Sequence, residues 1–381
     1  MSLVSVATQP GQLVVERIRD AGPISRVEVA RSTGLAPATV TRWAARMLDT
    51  GLLRTSGSDL ETGGRPSTLL RLNERFGVTL AVDVADRHID IARLDLVGHM
   101  IDNIRIESDS ELGEPRLGEV LDEIAAAIAT DPTQPVLAIG VSVPGPVDRD
   151  GVVLFAPALE WNDVPLGRLL AERTGLPVVV ENDANLIALA EFERGPWEDV
   201  RALVTIAVFD GVGMGIIEGG QVWRGATGAA GQVGRMLFNR SALGGTYSGF
   251  GDLELHLGRV GIAVRAVRRG ILDDADPRGA DTVLELAAGG HTEAITLLDE
   301  LMDDYAFALI NVCAILEPDV ITLSGLFEAW GDLVLPRMEE RMEGQVVTMP
   351  RLVAASLGET GALLGAGIRA FASSGGIASL I

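Results

Sequence analysis

The sequence predicts an α/β chain in two parts: a winged helix-turn-helix head over residues 1–75, then a duplicated α/β body of two lobes. Three observations carry this. Residues 12–51 hold three short helical patterns separated by turn signals, and a Gly-rich hairpin follows them. A plan of strand, turn and hairpin occurs after Gly77 and again after Arg201, each copy leading into helix-rich sequence. Charge is divided in the same way: ten arginines against seven acids give residues 1–75 a net +3, whereas the whole chain carries −22, which leaves −25 on the remainder. A slightly basic head on a strongly acidic body is the asymmetry expected when only the head meets a polyanion.

The bulk properties bound the rest. A length of 381 residues suits two or three domains, and the 47% hydrophobic content contains no run near the 18 apolar residues of a membrane span. The start, "MSLVSVATQPGQ", lacks the basic and apolar blocks of a signal peptide, and the lone Cys313 has no partner for an internal disulfide. A cytoplasmic location with no membrane partner is the expectation. All 31 basic residues are arginine, for which a coding bias is a sufficient explanation.

In the head, "QLVVERIRD" (12–20) reads as an amphipathic helix ended by the turn signal Ala21-Gly22-Pro23. "RVEVARST" (26–33) reads as a second helix, and Gly34 opens a tight turn into "LAPATVTRWAARMLDTG". Pro37 suits the first turn of this third helix and Gly51 its end. Val40, Ala44, Met47 and Leu48 fall on one apolar stripe, while Thr39, Arg42 and Arg46 share another face. Such an arrangement lays a recognition helix in the DNA major groove; a small bundle with a solvated charged face is the bland alternative. The following "GLLRTSGSDLETGGRPSTLLRLN" reads as two short strands around a polar loop, a wing. Within it Arg65, between Gly64 and Pro66, stands on a thin support suited to a narrow minor groove.

In the body, Gly211 to Gly215 imitates a dinucleotide fingerprint, but the strand-like "IIEGGQVW" follows where a helix is required, so a Rossmann site is rejected. Two readings of these glycines remain open, a backbone cradle for phosphate and a plain tight turn. In "VVVENDANLIALAE" (178–191) a strand gives way to a helix across Glu181-Asn182-Asp183. There an amide and a carboxylate can hold vicinal hydroxyls, cap the helix, or divide the two tasks.

These segments, with "GVSVPGPVD" (140–148), "LEWNDVPL" (159–166), "GVGMGIIEGGQVWRGATGAAGQVG" (211–234), "LEPDVITLSG" (316–325) and "LLGAGIRA" (363–370), resemble the ROK family of sugar repressors and sugar kinases. The match is to its regulators with an N-terminal winged helix, and it covers nearly the whole chain in order. The resemblance implies an actin-like, ribonuclease-H-like, sugar-kinase-like ATPase fold of two lobes. Domains are then expected at 1–75, at 78–198 (completed by a C-terminal helix, 363–381) and at 199–362. By motif, the ligand-binding positions implied are Asn182, Asp183, Gln232, Arg235 and Glu254.

Departures from the family's kinases bear on chemistry. Where the kinases carry one His and three Cys for zinc, this sequence has Arg235, Gly245, Tyr247 and Asp252, so no metal is expected. The kinase phosphate hairpin Asp-x-Gly-Gly-Thr is replaced by Asp83-Val84-Ala85-Asp86-Arg87. Two Cβ atoms then stand where backbone must approach phosphate, and Asp86 adds a repulsion of about 4 kcal/mol at ~4 Å and an effective dielectric near 20. No catalytic residue and no cofactor are expected. The resulting expectation is a repressor whose partners are operator DNA, read by Thr39, Arg42, Arg46 and Arg65, and a carbohydrate or derivative, in a homodimer or homotetramer. An active sugar kinase with an appended head, and a scaffold that has lost sugar binding, are the alternatives.

Overall fold

A computed structural model describes residues 10–59, 67–129, 134–197, 199–245, 249, 251–274 and 278–373. The head begins with α1 (Pro10–Ala21), β1 (Ile24–Ser25), α2 (Arg26–Thr33) and α3 (Pro37–Asp49). Helix α2 starts at Ser25 because of a capping box: the Ser25 hydroxyl accepts from Glu28 N at 3.3 Å, and the Glu28 carboxylate accepts from Ser25 N at 3.1 Å. It stops at Gly34, whose φ of 70° is the left-handed geometry a Cβ disfavours. Val40, Ala44 and Met47 of α3 are fully buried, as their spacing requires. Strands β2 (Leu53–Asp59) and β3 (Ser67–Leu72) pair antiparallel, and β1 adds to β3, which completes the wing's sheet. The expected wing contact Arg65 lies outside the described residues.

Strands β4 (Val78–Val84), β5 (His88–Leu94) and β6 (Met100–Glu107) form an antiparallel meander. After α4 (Glu114–Ala129), β7 (Val136–Val143) returns parallel to β4. The small hairpin β8 (Val153–Ala156) and β9 (Trp161–Val164) precedes α5 (Leu166–Thr174) and β10 (Val178–Asn182), giving a sheet of order β10-β7-β4-β5-β6. Helix α6 (Asp183–Arg194) leads to β11 (Ala202–Val208), β12 (Val212–Glu218) and β13 (Gln221–Val222), again an antiparallel meander. Then come α7 (Asp252–Leu257), α8 (Arg259–Arg268), α9 (Gly279–Ala288) and α10 (Thr292–Leu316). Strand β14 (Val320–Gly325), α11 (Gly331–Met342), β15 (Arg351–Ala354) and α12 (Gly361–Ser373) end the described chain. The second sheet has the order β13-β12-β11-β14-β15, with β14 parallel to both β11 and β15. The two sheets follow one plan, the duplication that the repeated strand-turn-hairpin pattern announces.

Two compact units result: Met1–Ser142 with Pro165–Val180 and Ala366–Ile381, and Val143–Val164 with Glu181–Gly365. These cut across the segments read from the sequence. Helix α6, numbered with the first lobe, packs in the second unit, where Ala184, Ile187, Ala207 and Ala362 form one apolar cluster. Strand β12 receives α6 through its glycines: a Cβ on Gly215 would overlap the Ala184 carbonyl oxygen, and one on Gly213 would stand 2.9 Å from the Ala184 Cβ. Gly213 and Gly215 sit inside the ladder opposite Ala207 and Thr205. Neither open reading of this glycine run therefore describes these two residues, whose missing side chains admit a helix. In the first unit the head is joined to the body by a continuous core. Val14, Ile18, Leu53 and Leu72 pack with Leu96, Leu137 and Phe371, and the Arg19 guanidinium lies 5.0 Å from the Phe371 ring centroid.

Candidate functional site

The turn from β10 into α6 is built by its own side chains. Asn182 caps α6: its Oδ1 accepts from Asn185 N at 3.2 Å, a bond commonly worth about 1 kcal/mol. Its Nδ2 donates to the Gly145 carbonyl at 3.1 Å and to Asp183 Oδ1 at 2.8 Å. Asp183 Oδ1 also accepts from Ala184 N at 2.7 Å, and Asp183 itself is half-buried. The amide is thus spent mostly on structure, while the carboxylate stands at a helix N-terminus, where the axial dipole favours its charge. Of the three possibilities left open for this pair, the capping role falls to Asn182.

Glu181, to which the sequence reading assigned no role, is the buried centre of this turn. It is 2% exposed and accepts from Asn182 N at 3.1 Å and Asn185 Nδ2 at 3.0 Å through Oε1. Through Oε2 it accepts from Arg224 Nε at 2.6 Å, and Arg224 Nη2 pairs with the same oxygen. The only signal in the sequence was a carboxylate directly beside Asn182 at the end of an apolar strand.

The other positions expected to bind ligand lie in the same unit. Gln232 is half-buried and precedes the short 3-10 turn Val233–Arg235, whose last residue is exposed. The Arg235 guanidinium stacks 5.0 Å from the Phe155 ring centroid and makes a long, 3.4 Å contact with the Gly249 carbonyl. Glu254 accepts from Val212 N at 3.1 Å and Gly251 N at 2.7 Å, one amide on each oxygen. It ties α7 to β12, and Gly234 has no side chain because a Cβ there would overlap Glu254. A carboxylate has about four acceptor sites, so these bonds leave capacity for a hydroxyl.

The positions that hold zinc in the family's kinases do other work. Asp252 is buried and accepts from Phe238 N at 2.6 Å, Arg235 is a cation over a ring, Gly245 has no donor atom, and Tyr247 lies outside the described residues. This donor set does not fit zinc. At the altered phosphate hairpin, Arg116 is 0% exposed and donates through Nη2 to the carbonyls of Ala85 at 2.6 Å and His88 at 2.8 Å. Its Nη1 pairs with Glu119 at 2.7 Å. Burial pushes the Asp83 carboxyl above the ordinary carboxylate range; the Ser142 hydroxyl opposes this and the Asp90 carboxylate reinforces it.

On the head, Arg42 and Arg46 are exposed on α3 while Thr39 is half-buried. Arg46 lies 5.1 Å from the Trp43 ring centroid, which holds it along the helix. Thr41 is exposed beside Arg42 and was not singled out from the sequence, because helical spacing alone does not fix the edge of a face. Among the described residues, no helix is long and apolar enough to cross a membrane.

Comparison with known proteins completes the picture. The chain is 28% identical over 344 residues to the xylose repressor of Caldicellulosiruptor bescii, covering 86% of each protein. Its fold matches the crystal structure of a ROK family transcriptional regulator, a homologue of the E. coli MLC protein, with a TM-score of 0.84, 24% identity and 98% of both chains. It also matches a ROK family glucokinase from Streptomyces griseus, solved with glucose and AMPPNP, with a TM-score of 0.65 and 25% identity over 77% of this chain and 99% of that one. The fold is therefore the actin-like ATPase fold, preceded by an N-terminal winged helix-turn-helix. Residues 79–371 match the ROK family model, and the chain belongs to the ROK family.

Proposed function

We propose that this protein is a cytoplasmic transcriptional repressor: its head binds operator DNA, and a carbohydrate or carbohydrate derivative bound at Asn182 and Asp183 releases it. The observation that carries this reading is the winged head, with Thr41, Arg42 and Arg46 on the outer face of α3, in a chain aligned along 86% of its length with a xylose repressor. Thr39 is a weaker candidate for base contact, being half-buried. Arg65 stays a candidate for the minor groove, and Gln232, Arg235 and Glu254 for the ligand. One recognition helix reads few base pairs, so a homo-oligomer presents two heads to half-sites ~34 Å apart or a multiple of that.

The family also contains kinases, and Asp183 occupies the position of their base. Here we read it as a holder of hydroxyls and the protein as no enzyme. The hairpin that cradles phosphate in the kinases has Ala85, Asp86 and Arg87, and Arg116 engages two of its carbonyls from within. Catalysis of phosphoryl transfer is mostly positioning and charge neutralisation, which an acidic turn opposes.

The test uses full-length protein on DNA fragments from its own promoter regions, followed by fluorescence anisotropy with and without D-xylose, D-glucose and their acid and phosphate derivatives. Specific binding that one of them releases, with no sugar-dependent consumption of ATP, is the expected result. Arg42→Ala should weaken operator binding by about 1–3 kcal/mol if the guanidinium is bidentate to guanine. Sugar-dependent ATP turnover overturns the non-enzymatic reading.

A further inference from the structure

We propose that Glu181, buried, and Arg224, half-buried, form an ionic strut that positions both halves of the ligand site, an inference that rests on reading Asn182 and Asp183 as that site. Four donors converge on the Glu181 carboxylate, which matches the number of lone-pair sites it has. Two come from its own turn, the Asn182 N–H and the Asn185 amide, and so fix the backbone and first helical turn from which Asn182 and Asp183 project. The other two come from one planar guanidinium 43 residues later in the chain.

Arg224 follows β13 at the start of the segment that carries the remaining site residues. Its carbonyl accepts from Ala230 N at 3.1 Å, closing a loop, and the Gly231 carbonyl accepts from Met214 N at 3.1 Å. Gly228 and Gly231 have φ of 91° and 84°, and a Cβ on either would overlap a carbonyl, of Val147 and Met214 respectively. This compact loop delivers Gln232 and then Arg235. The strut therefore joins the segment bearing Asn182 and Asp183 to the segment bearing Gln232 and Arg235.

Glu181 is spent on protein donors and is 2% exposed, so it is a positioning residue and not a ligand contact. An ion pair with one member buried, as Glu181 is here, is a poor source of net stability, because desolvation of the carboxylate offsets its attraction. A fixed mutual geometry is what the pair supplies here. Arginine is required on one side because only its fork reaches one oxygen with two nitrogens while lysine offers a point charge.

The experiment measures hydrogen–deuterium exchange in full-length, ligand-free protein for peptides covering 181–186 and 224–235. The variants are Glu181→Gln, Arg224→Lys, Arg224→Met and the doubly neutral Glu181→Gln/Arg224→Met, the last retaining no unpaired buried charge if a single variant fails to fold. Exchange should accelerate at least about tenfold in both segments, while peptides of α10 and of the head match wild type. Arg224→Lys should recover melting temperature relative to Arg224→Met yet bind any sugar that stabilises the wild type at least about tenfold more weakly, with ligand-free operator affinity unchanged. Unchanged exchange in folded variants, acceleration in only one segment, or full recovery of sugar affinity by lysine overturns the strut. Accelerated exchange in both segments, in a protein that no sugar stabilises, supports the strut and instead removes the ligand reading.

Discussion

At the end of β4 a buried arginine, Arg116, gathers the carbonyls of Ala85 and His88, whereas at the end of β10 a buried glutamate, Glu181, gathers the Asn182 N–H and the Asn185 amide. Both turns are shaped from inside by a charged side chain, but with opposite polarity and opposite result. The β4–β5 turn directs acceptors inward and offers the side chains of Asp86 and Arg87, with 42% and 87% of their area exposed, where a phosphate-binding hairpin offers glycine backbone. The β10–α6 turn keeps its amide and carboxylate in place. If the proposed function holds, the first strand end is the one altered for nucleotide and the second the one kept for sugar, so the two turns can be tested separately.

The largest effect that would break this comparison is at the end of β4. Arg116→Ala leaves Glu119 and two carbonyls without their buried partner and should cost about 3–5 kcal/mol in urea denaturation; a loss under about 1 kcal/mol would mean that Arg116 does not shape the turn. At the end of β10, Asp183→Ala should abolish sugar-induced release while ligand-free operator affinity, read by anisotropy, stays at the wild-type value. Release that survives the substitution would remove Asp183 from the site. Arg235→Ala should be subtler. A cation stacked on Phe155 favours anionic ligands, so thermal shifts with sugar acids or phosphates should shrink while those with neutral sugars persist. Equal shifts for both ligand classes in wild type and variant would dismiss the anionic preference.

The smallest effect concerns pH. The folded protein holds the Asp83 proton to a higher pH than the unfolded chain does, because burial disfavours the anion. This group's contribution to stability therefore falls as pH rises from about 4 through the raised folded value and is lowest above it. Asp83→Asn should flatten that part of the stability profile and leave the variant at least as stable as wild type at neutral pH, as measured by denaturation at a series of pH values. A variant less stable at neutral pH than at pH 4, relative to wild type, contradicts the sign.

Local signals made the head legible. Pro37, Gly34 and the Val40-Ala44-Met47 stripe act within a few residues, so helix starts, stops and buried faces could be read directly. The duplicated body was legible as a repeated pattern, although its division was not: β10 and α12 each belong partly to both units, and no local feature marks such a cut. Gly213 and Gly215 misled because a missing Cβ looks the same in sequence whether phosphate or a helix comes close. The Glu181–Arg224 pair was invisible for a related reason, since its partners are 43 residues apart and neither lies in a motif that names the other. Glu254 was placed in the pocket by motif, and its two backbone bonds appear only in three dimensions.

The shared core of head and body carries a lesson for building chimeric regulators. A graft cut after residue 75 would separate Ile18, Leu53 and Leu72 from Leu96, Leu137 and Phe371, opening an apolar seam on both pieces. Exposing such side chains costs on the order of 25 cal/mol per Å² and invites aggregation. A transplantable reading head would have to bring with it matching residues on the recipient's β5–β6 turn, on the start of its β7 and on its last helix, or have that seam repainted with polar side chains.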